Sequence, residues 1–135
     1  MVIAWSSPVP RRHEVRVLAV AANSAAGLTS TVTDHFGRCP FYVVVVTEGT
    51  ELRAARVVAN PHVADHAPGS MLPFLRNLGA DVILVGKVGP GATHRLRRFE
   101  IAEVTGLAGR IGDAVGEYLR RTSLGRSAES PVRAA

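Results

Sequence analysis

The order of its apolar runs most constrains how this chain can fold. Three strand-like runs follow one another with only loops between them: VRVLAVAAN (15–23), FYVVVVTEG (41–49) and ELRAARVVAN (51–60). Two later runs, DVILVG (81–86) and EIAEVTG (100–106), alternate with segments of helical pattern. Short links between strands favour antiparallel pairing, whereas a strand reached through a helix runs parallel to the one before it. The pattern therefore predicts one mixed five-stranded sheet.

Three segments have the apolar spacing of helices, and they complete the predicted order β-β-β-α-β-α-β-α. They are SMLPFLRNLGA (70–80), the Gly-rich turn and helix KVGPGATHRLRRF (87–99), and AGRIGDAVGEYLRR (108–121). The residues expected to face the core are Met71, Leu72, Leu75 and Leu78 in the first helix and Ile111, Val115, Tyr118 and Leu119 in the last. A mixed sheet flanked by helices in this order is an α/β fold that resembles a ribonuclease H-like core.

Length and composition favour a single domain. The chain has 135 residues, of which 47% are hydrophobic, enough for a core of its own. We expect a flexible leader over residues 1–13, a folded domain over 14–121 and a disordered tail over 122–135. No apolar run approaches the ~20 residues of a membrane span. The single cysteine excludes an internal disulfide framework, and a cytoplasmic location is expected.

The charge balance is basic, with a formal net charge of +5, and Lys87 is the only lysine among 16 basic residues. Arginine pairs well with phosphate, so one interpretation is a polyanion partner. The other is a compositional habit of the genome, because the arginines are scattered. Only RLRR (95–98) resembles a patch, and it lacks the interleaved aromatic residues of a stacking platform. Nucleic-acid binding is therefore not the expected function.

The segment DHFGRCP (34–40) is the first candidate site. It places Asp34, His35, Arg38 and Cys39 within seven positions, beside a glycine and a proline that favour a turn. Asp34 has an alternative role in binding backbone amides of the turn, and Arg38 is either an anion clamp or a surface charge. Cys39 is either a ligand or a small buried apolar side chain.

A second loop, NPHVADHAPG (60–69), adds two histidines. With Met71, the soft and borderline donors of the chain are His35, Cys39, His62 and His66. Thiolate and imidazole groups suit iron, zinc, copper and iron–sulfur species. The spacings H-x-x-x-C (35–39) and H-x-x-x-H (62–66) make these four residues candidate metal ligands, although loop histidines are more often solvated or hydrogen-bonded.

The Gly-rich loop GKVGPG (86–91) fits neither the phosphate-loop motif nor the dinucleotide fingerprint. Gly89 and Gly91 are candidates for leading an anion or a cluster to the amides at a helix N-terminus, and the alternative is a tight strand-to-helix turn. Two-metal nucleases need several converging carboxylates, which the first and fourth strands do not supply. No nucleophile–base pair is visible either, so an enzyme is not expected.

Four segments together resemble the dinitrogenase iron–molybdenum cofactor biosynthesis family. They are VTDHFGRCPFYVVV, the NPH…DHAPG loop, GADVILVGKVGPGA and TGLAGRIGDAVGEYL, in order across roughly residues 15 to 121. His35, Phe36, Gly37, Arg38 and Pro40 match the family's HFGR-x-P block, in which position 39 is variable. In the second loop Asp65 and His66 match, whereas Pro68 replaces a second histidine of some members, for which His62 is a candidate substitute.

The resemblance implies a ribonuclease H-like domain that binds an iron–sulfur or iron–molybdenum cluster without turning over a substrate. It implies a cluster donor or acceptor protein as the partner. His35, Cys39 and His66 are the expected contacts, with Arg38 offsetting the charge of an anionic cluster. The alternative is a metal-free interaction or regulatory domain of the same fold.

Overall fold

Five strands and three helices follow in the predicted order in the computed structural model, which describes residues 14–34, 38–61, 71–87 and 90–123. The strands are β1 (Val15–Ala22), β2 (Phe41–Glu48), β3 (Glu51–Ala59), β4 (Val82–Leu84) and β5 (Ala102–Val104). The helices are α1 (Met71–Asn77), α2 (Pro90–Arg98) and α3 (Ile111–Ser123). The expected leader and most of the expected tail lie outside the described residues.

The five strands form one mixed sheet in the order β3-β2-β1-β4-β5. β2 pairs antiparallel with both β1 and β3, whereas β4 is parallel to β1 and to β5. The tight β2–β3 hairpin can join only antiparallel neighbours, and β4 and β5 are each reached through a helix, so these directions follow from the connections. The longer link 23–40 does not by itself fix the direction of β2 against β1. The predicted fold class, a ribonuclease H-like mixed sheet flanked by helices, is confirmed.

Each face of the sheet has its own apolar core. On one face, α3 packs against the strands through Ile111, Val115, Tyr118 and Leu119, and the predicted inward face of this helix is confirmed. On the other face, α1 and α2 bury Leu72, Leu75 and Leu96. Residues of β1 alternate between the two cores, since successive side chains of a strand point to opposite faces. Helices cover both faces of the sheet, which explains why the strands are almost continuously apolar in the sequence.

Two local features differ from the sequence prediction. The final helix begins at Ile111 and not at residue 108, because Arg110 forms a β-bridge with Thr31 and the Val32 N–H donates to the Gly109 carbonyl at 2.9 Å. The segment 24–31, expected to be a loop, contains a short 3₁₀ turn over Gly27–Thr29. The start of the final helix is set by backbone hydrogen bonds to a segment distant in sequence, which periodicity does not reveal. The 3₁₀ turn is closed locally, since the Ser30 N–H donates to the Gly27 carbonyl at 2.9 Å.

The strand β3 forms one edge of the sheet, and every residue in it except the half-buried Val58 is exposed. The predicted β2–β3 hairpin is confirmed. Val46 lies opposite Ala54 and Thr47 opposite Leu52, so Arg53 between them is a β-bulge. Bulges and charged side chains limit pairing of an edge strand with another chain.

Among the described residues, no helix is long and apolar enough to cross a membrane.

Candidate functional site

Three candidate loops leave the sheet at one end, called here the loop end. Ala22, at the close of β1, lies opposite Phe41, which lies opposite Ala59, at the close of β3. The parallel register places Leu84 beside Val20. The segments DHFGRCP, NPHVADHAPG and GKVGPG therefore begin or end at the same end of the strands. Ligands of open α/β sheets bind at the carboxyl ends of parallel strands, which is the end where these loops meet.

Asp34 of the first loop lies directly against Gly86 of the Gly-rich loop. A methyl group built on the Gly86 Cα would overlap Asp34 Oδ1 and would lie 3.0 Å from Asp34 Cγ. The Gly86 N–H donates to the Thr33 carbonyl at 3.1 Å, and the Thr33 N–H donates to the Ala21 carbonyl at 3.1 Å. The expectation that the loops after β1 and β4 are neighbours is confirmed, and their contact requires glycine at position 86.

Asn60 joins the second loop to the first. Its side-chain Nδ2 donates to the Cys39 carbonyl at 2.7 Å, and its backbone N–H donates to the Pro40 carbonyl at 2.9 Å. The side chain is buried. Sequence reasoning did not single out Asn60, although a polar residue before a proline at the end of a strand is typical of a turn. The loop 60–69 is thus anchored beside DHFGRCP at its first residue.

Cys39 is 1% exposed and belongs to the core beneath α1, together with Ala21, Tyr42, Leu72 and other apolar residues. This burial agrees with the interpretation of Cys39 as a small apolar side chain. Its backbone carbonyl accepts the hydrogen bond from Asn60 Nδ2 at the loop end. A thiol in this core does not face the solvent, so its role as a cluster ligand remains a proposal.

Two cationic side chains lie in the described parts of these loops, while Glu103 of β5 places a carboxylate near the start of α2, where it accepts from Thr93 Oγ1 at 3.1 Å. Arg38 and Lys87 are exposed and form no ion pair with any residue that the structure describes. Asp34 is exposed beside them and contributes one carboxylate. An anion with its charge spread over several atoms fits such a surface better than a bare cation does.

The Gly-rich loop leads into α2 at Pro90, a favoured first helical position. Gly91 lies in the first turn of this helix, not in the turn before it as the sequence suggested. The first N–H groups of a helix have no partner within the helix, and α2 has no acidic residue in its first turn. The start of α2 therefore contributes partial positive charge at the loop end.

Four of the predicted site residues lie outside the described residues: His35, His62, His66 and Gly89. Within residues 14–34, 38–61, 71–87 and 90–123, no group of three His, Cys, Asp or Glu side chains is placed to hold a metal ion. Iron–sulfur clusters built into proteins are commonly held by four thiolates, whereas this chain has one cysteine, which is buried. The donor set does not fit a cluster assembled on protein thiolates.

Comparison with known proteins agrees with the resemblance found in the sequence. Residues 16–121 match the model of the family described as Dinitrogenase iron-molybdenum cofactor. The crystal structure of PH0822 is 28% identical, with a TM-score of 0.71, over 84% of this chain and 94% of that one. The apo form of the orange protein from Desulfovibrio gigas is 30% identical, with a TM-score of 0.68, over 90% of this chain and 95% of that one.

A more distant structure, MJ0327 from Methanococcus jannaschii, has a TM-score of 0.62 at 10% identity over 85% of this chain and 92% of that one, and so shares the fold alone. Comparison with curated proteins gives no match.

Proposed function

The chain belongs to the dinitrogenase iron–molybdenum cofactor family, and from this premise we propose that it is a non-catalytic carrier of an iron–sulfur or iron–molybdenum cluster. The observation that carries the proposal is the contact of Asp34 with Gly86, which joins the two loops that bear the family-like motifs. Asn60, the first residue of the third loop, joins that loop to the first through its hydrogen bond to the Cys39 carbonyl. Three separate motifs that meet at one end of a sheet form a binding surface that no single loop offers.

The cargo is an anionic metal–sulfur cluster that is complete before it binds. One cysteine cannot supply the thiolates needed to assemble a cluster, so the sulfur and most of the metal ligands must arrive with the cargo. Arg38, Lys87 and the first turn of α2, with Gly91 and the adjoining Gly89, offset its negative charge. His35 and His66 are the proposed direct contacts, with His62 as a further imidazole ligand.

A binding role agrees with the chemistry at the loop end. Metal-assisted hydrolysis requires several carboxylates around the metal ions, and in the described loops Asp34 is the carboxylate at this end. The proposed partners are a cluster donor and a cluster acceptor, and the proposed location is the cytoplasm, where a cysteine stays reduced.

The test is metal and acid-labile sulfide content after anaerobic incubation with an iron–sulfide or iron–molybdenum–sulfide cluster and removal of the unbound excess. We expect wild-type protein to retain metal and sulfide together. The double variant His35→Ala/His66→Ala should lose most of both. His94→Ala is the matched control, because His94 is exposed on α2 and belongs to none of the three loops. Retention by the double variant equal to that of wild type would exclude these contacts.

Cys39→Ala separates the two roles of this cysteine. Cluster loss at unchanged thermal stability would identify a ligand, whereas full retention with a lower Tm would identify a packing residue. The burial of Cys39 supports the second result.

The second candidate is a metal-free interaction domain that uses the loop end for a protein partner. The burial of the only thiol favours it. Wild-type protein that retains no metal under any anaerobic condition would establish this alternative over the carrier.

A further inference from the structure

Four arginines cluster where α1 and α2 end, at the end of the sheet opposite the loop end. Arg76 lies in the last turn of α1, and Arg95, Arg97 and Arg98 lie in the last turn of α2. Both helices start at the loop end and run to the opposite end, because each leads into a strand parallel to β1. We name these four residues the arginine surface.

A direct contact joins the two halves of the arginine surface. The Arg76 Nη1 donates to the Phe99 carbonyl at 2.8 Å, one residue beyond the end of α2. The guanidinium of Arg76 therefore lies next to the turn that carries Arg97 and Arg98. Arg76, Arg97 and Arg98 are exposed, and Arg95 is half-buried. The cluster is a single surface contributed by two helices.

No described acidic side chain is paired with any of these arginines. The contrast with α3 is direct, because its Arg120 and Arg121 bind Glu117 at 2.8 and 3.0 Å. The hydrogen bonds from Arg120 and then Arg121 lower the pKa of Glu117. In α2 the positions three and four residues before Arg97 and Arg98 are occupied by Thr, His and Arg. The charge on α3 is balanced locally, and the charge on α2 is not.

Favourable charge–dipole interaction explains only part of this arrangement. A cation in the last turn of a helix is stabilising, and one arginine in each helix would suffice for that. Arg95 and Arg98 are three residues apart on the same helix, a spacing at which like charges destabilise the helix. Glu100 follows them in the chain and forms no ion pair with a described residue. Asp81, which follows α1 at the same end of the sheet, accepts a hydrogen bond from the Val17 N–H at 2.9 Å and is not paired with a described arginine.

We propose that the arginine surface is a docking site for an acidic segment of a partner protein. Carboxylates spaced along an extended or helical segment would neutralise the arginines. A nucleic-acid partner is the less fitting polyanion, since Phe99, the aromatic residue beside the arginines, is half-buried and packs against the core, so its ring is not free to stack on a base.

The arginine surface and the loop end are separated by the length of α2, nine residues or about 14 Å at 1.5 Å per residue. A partner bound to the arginines leaves the three loops open. This inference stands without the cluster proposal, because it uses no residue of the loop end.

The test is fluorescence anisotropy of a labelled deca-glutamate peptide titrated with the full chain near 0.15 M salt. The surface variant combines Arg95→Gln, Arg97→Gln and Arg98→Gln. The control variant combines Arg110→Gln, Arg120→Gln and Arg121→Gln, which removes the same charge from the α3 side. We expect the surface variant to bind about tenfold more weakly, equivalent to about 1.4 kcal/mol, and the control to stay close to wild type.

A third variant, which combines Arg95→Lys, Arg97→Lys and Arg98→Lys, keeps the charge and should keep the binding. Equal weakening in the surface and control variants would show that net charge alone attracts the peptide, and the proposal would be wrong. Failure of wild-type protein to bind the peptide would also overturn it. A labelled oligouridylate of equal charge that binds more tightly than the peptide, and loses that binding only in the surface variant, would assign the surface to nucleic acid instead.

Discussion

Gly86 is the residue at which one added methyl group would most disturb the loop end. Its N–H donates a hydrogen bond to the Thr33 carbonyl, and its Cα faces Asp34 across a gap that has no room for a Cβ. Glycine is needed here because two loops approach each other closely. It is not needed for an unusual backbone angle, since the φ of Gly86 is not positive.

Gly86→Ala should lower the free energy of unfolding by about 1–3 kcal/mol, the usual cost of overpacking a filled site. Asp34→Gly in the same chain should recover most of the loss, because it removes the overlapping carboxylate. The measurement is urea unfolding of the two single variants and the double variant. Gly116→Ala is the control, since a Cβ there meets only the flexible end of Arg120 at 3.5 Å. If the two substitutions changed the free energy of unfolding additively, Asp34 and Gly86 would not be in contact.

Arg16 is a buried charge in β1 with an incomplete set of partners. Its Nη2 binds Glu14 at 3.0 Å, while its Nε and Nη1 are buried with no hydrogen-bond partner. The side chain is 3% exposed. Thr47, opposite it on β2, has an unpaired buried hydroxyl as well. A guanidinium in this position fills space beneath α3 at a cost in desolvation.

Arg16→Met should therefore leave the free energy of unfolding unchanged or raise it, because the methionine fills much of the volume and has no unpaired donors. Arg16→Ala should lower it by about 2 kcal/mol or more, because it leaves a cavity. The measurement is the free energy of unfolding of both variants by chemical denaturation. A loss in Arg16→Met as large as in Arg16→Ala would mean that the charge itself holds the strand.

At the scale of elements, α1 and α2 end in the same backbone arrangement with different residues. The Ala80 N–H donates to the Leu75 carbonyl, and the Ile101 N–H donates to the Leu96 carbonyl. The residue before each donor has a positive φ, 81° at Gly79 and 60° at Glu100. Glycine takes this conformation without steric cost, whereas an ordinary side chain does not.

Glu100→Gly should raise the free energy of unfolding by about 1 kcal/mol, because it relieves the strain at the end of α2. Gly79→Ala at the matching position of α1 should lower it by a similar amount, since the space around Gly79 is open and only its φ is unfavourable for alanine. Thermal and urea unfolding measure both. A destabilised Glu100→Gly variant would show that the glutamate makes a compensating contact.

At the scale of the whole molecule, alkaline pH acts on the core under α3. Burial raises the pKa of Tyr118 well above its ordinary value of 10.0, although Arg16 acts in the opposite direction. The unfolded chain releases this proton near pH 10 while the folded chain keeps it. Stability is therefore complete below pH 10 and falls as the pH rises further, by up to about 1.4 kcal/mol per unit.

Tyr118→Phe should have a shallower loss of stability above pH 10 than wild type. Its stability at neutral pH should stay within about 1 kcal/mol of that of wild type, because the substitution removes one hydroxyl and keeps the ring. The measurement is the free energy of unfolding by urea between pH 8 and pH 11. Parallel curves for the two proteins above pH 10 would assign the alkaline loss to other groups.

The order of strands and helices along the chain was predictable from the sequence because each step is local. Apolar runs, turn residues and helical spacing act over a few neighbouring residues, and the connection between two strands sets their relative direction. The inward face of α3 and the β2–β3 hairpin follow from the same kind of information. The candidate loops were predictable by composition, since Asp34, Arg38 and Cys39 stand out in a short polar stretch.

The placement of these loop residues was decided only in three dimensions. Whether Cys39 faces the solvent or the core depends on α1, more than 30 positions later in the chain. The need for glycine at position 86 depends on Asp34, and the role of Asn60 depends on the Cys39 carbonyl. Sequence patterns record the preference of each residue for helix, strand or turn, because those preferences arise from its own backbone and near neighbours. Contacts between distant segments arise from packing of the whole core, so only the tertiary structure determines which loops meet and which side chains stay exposed.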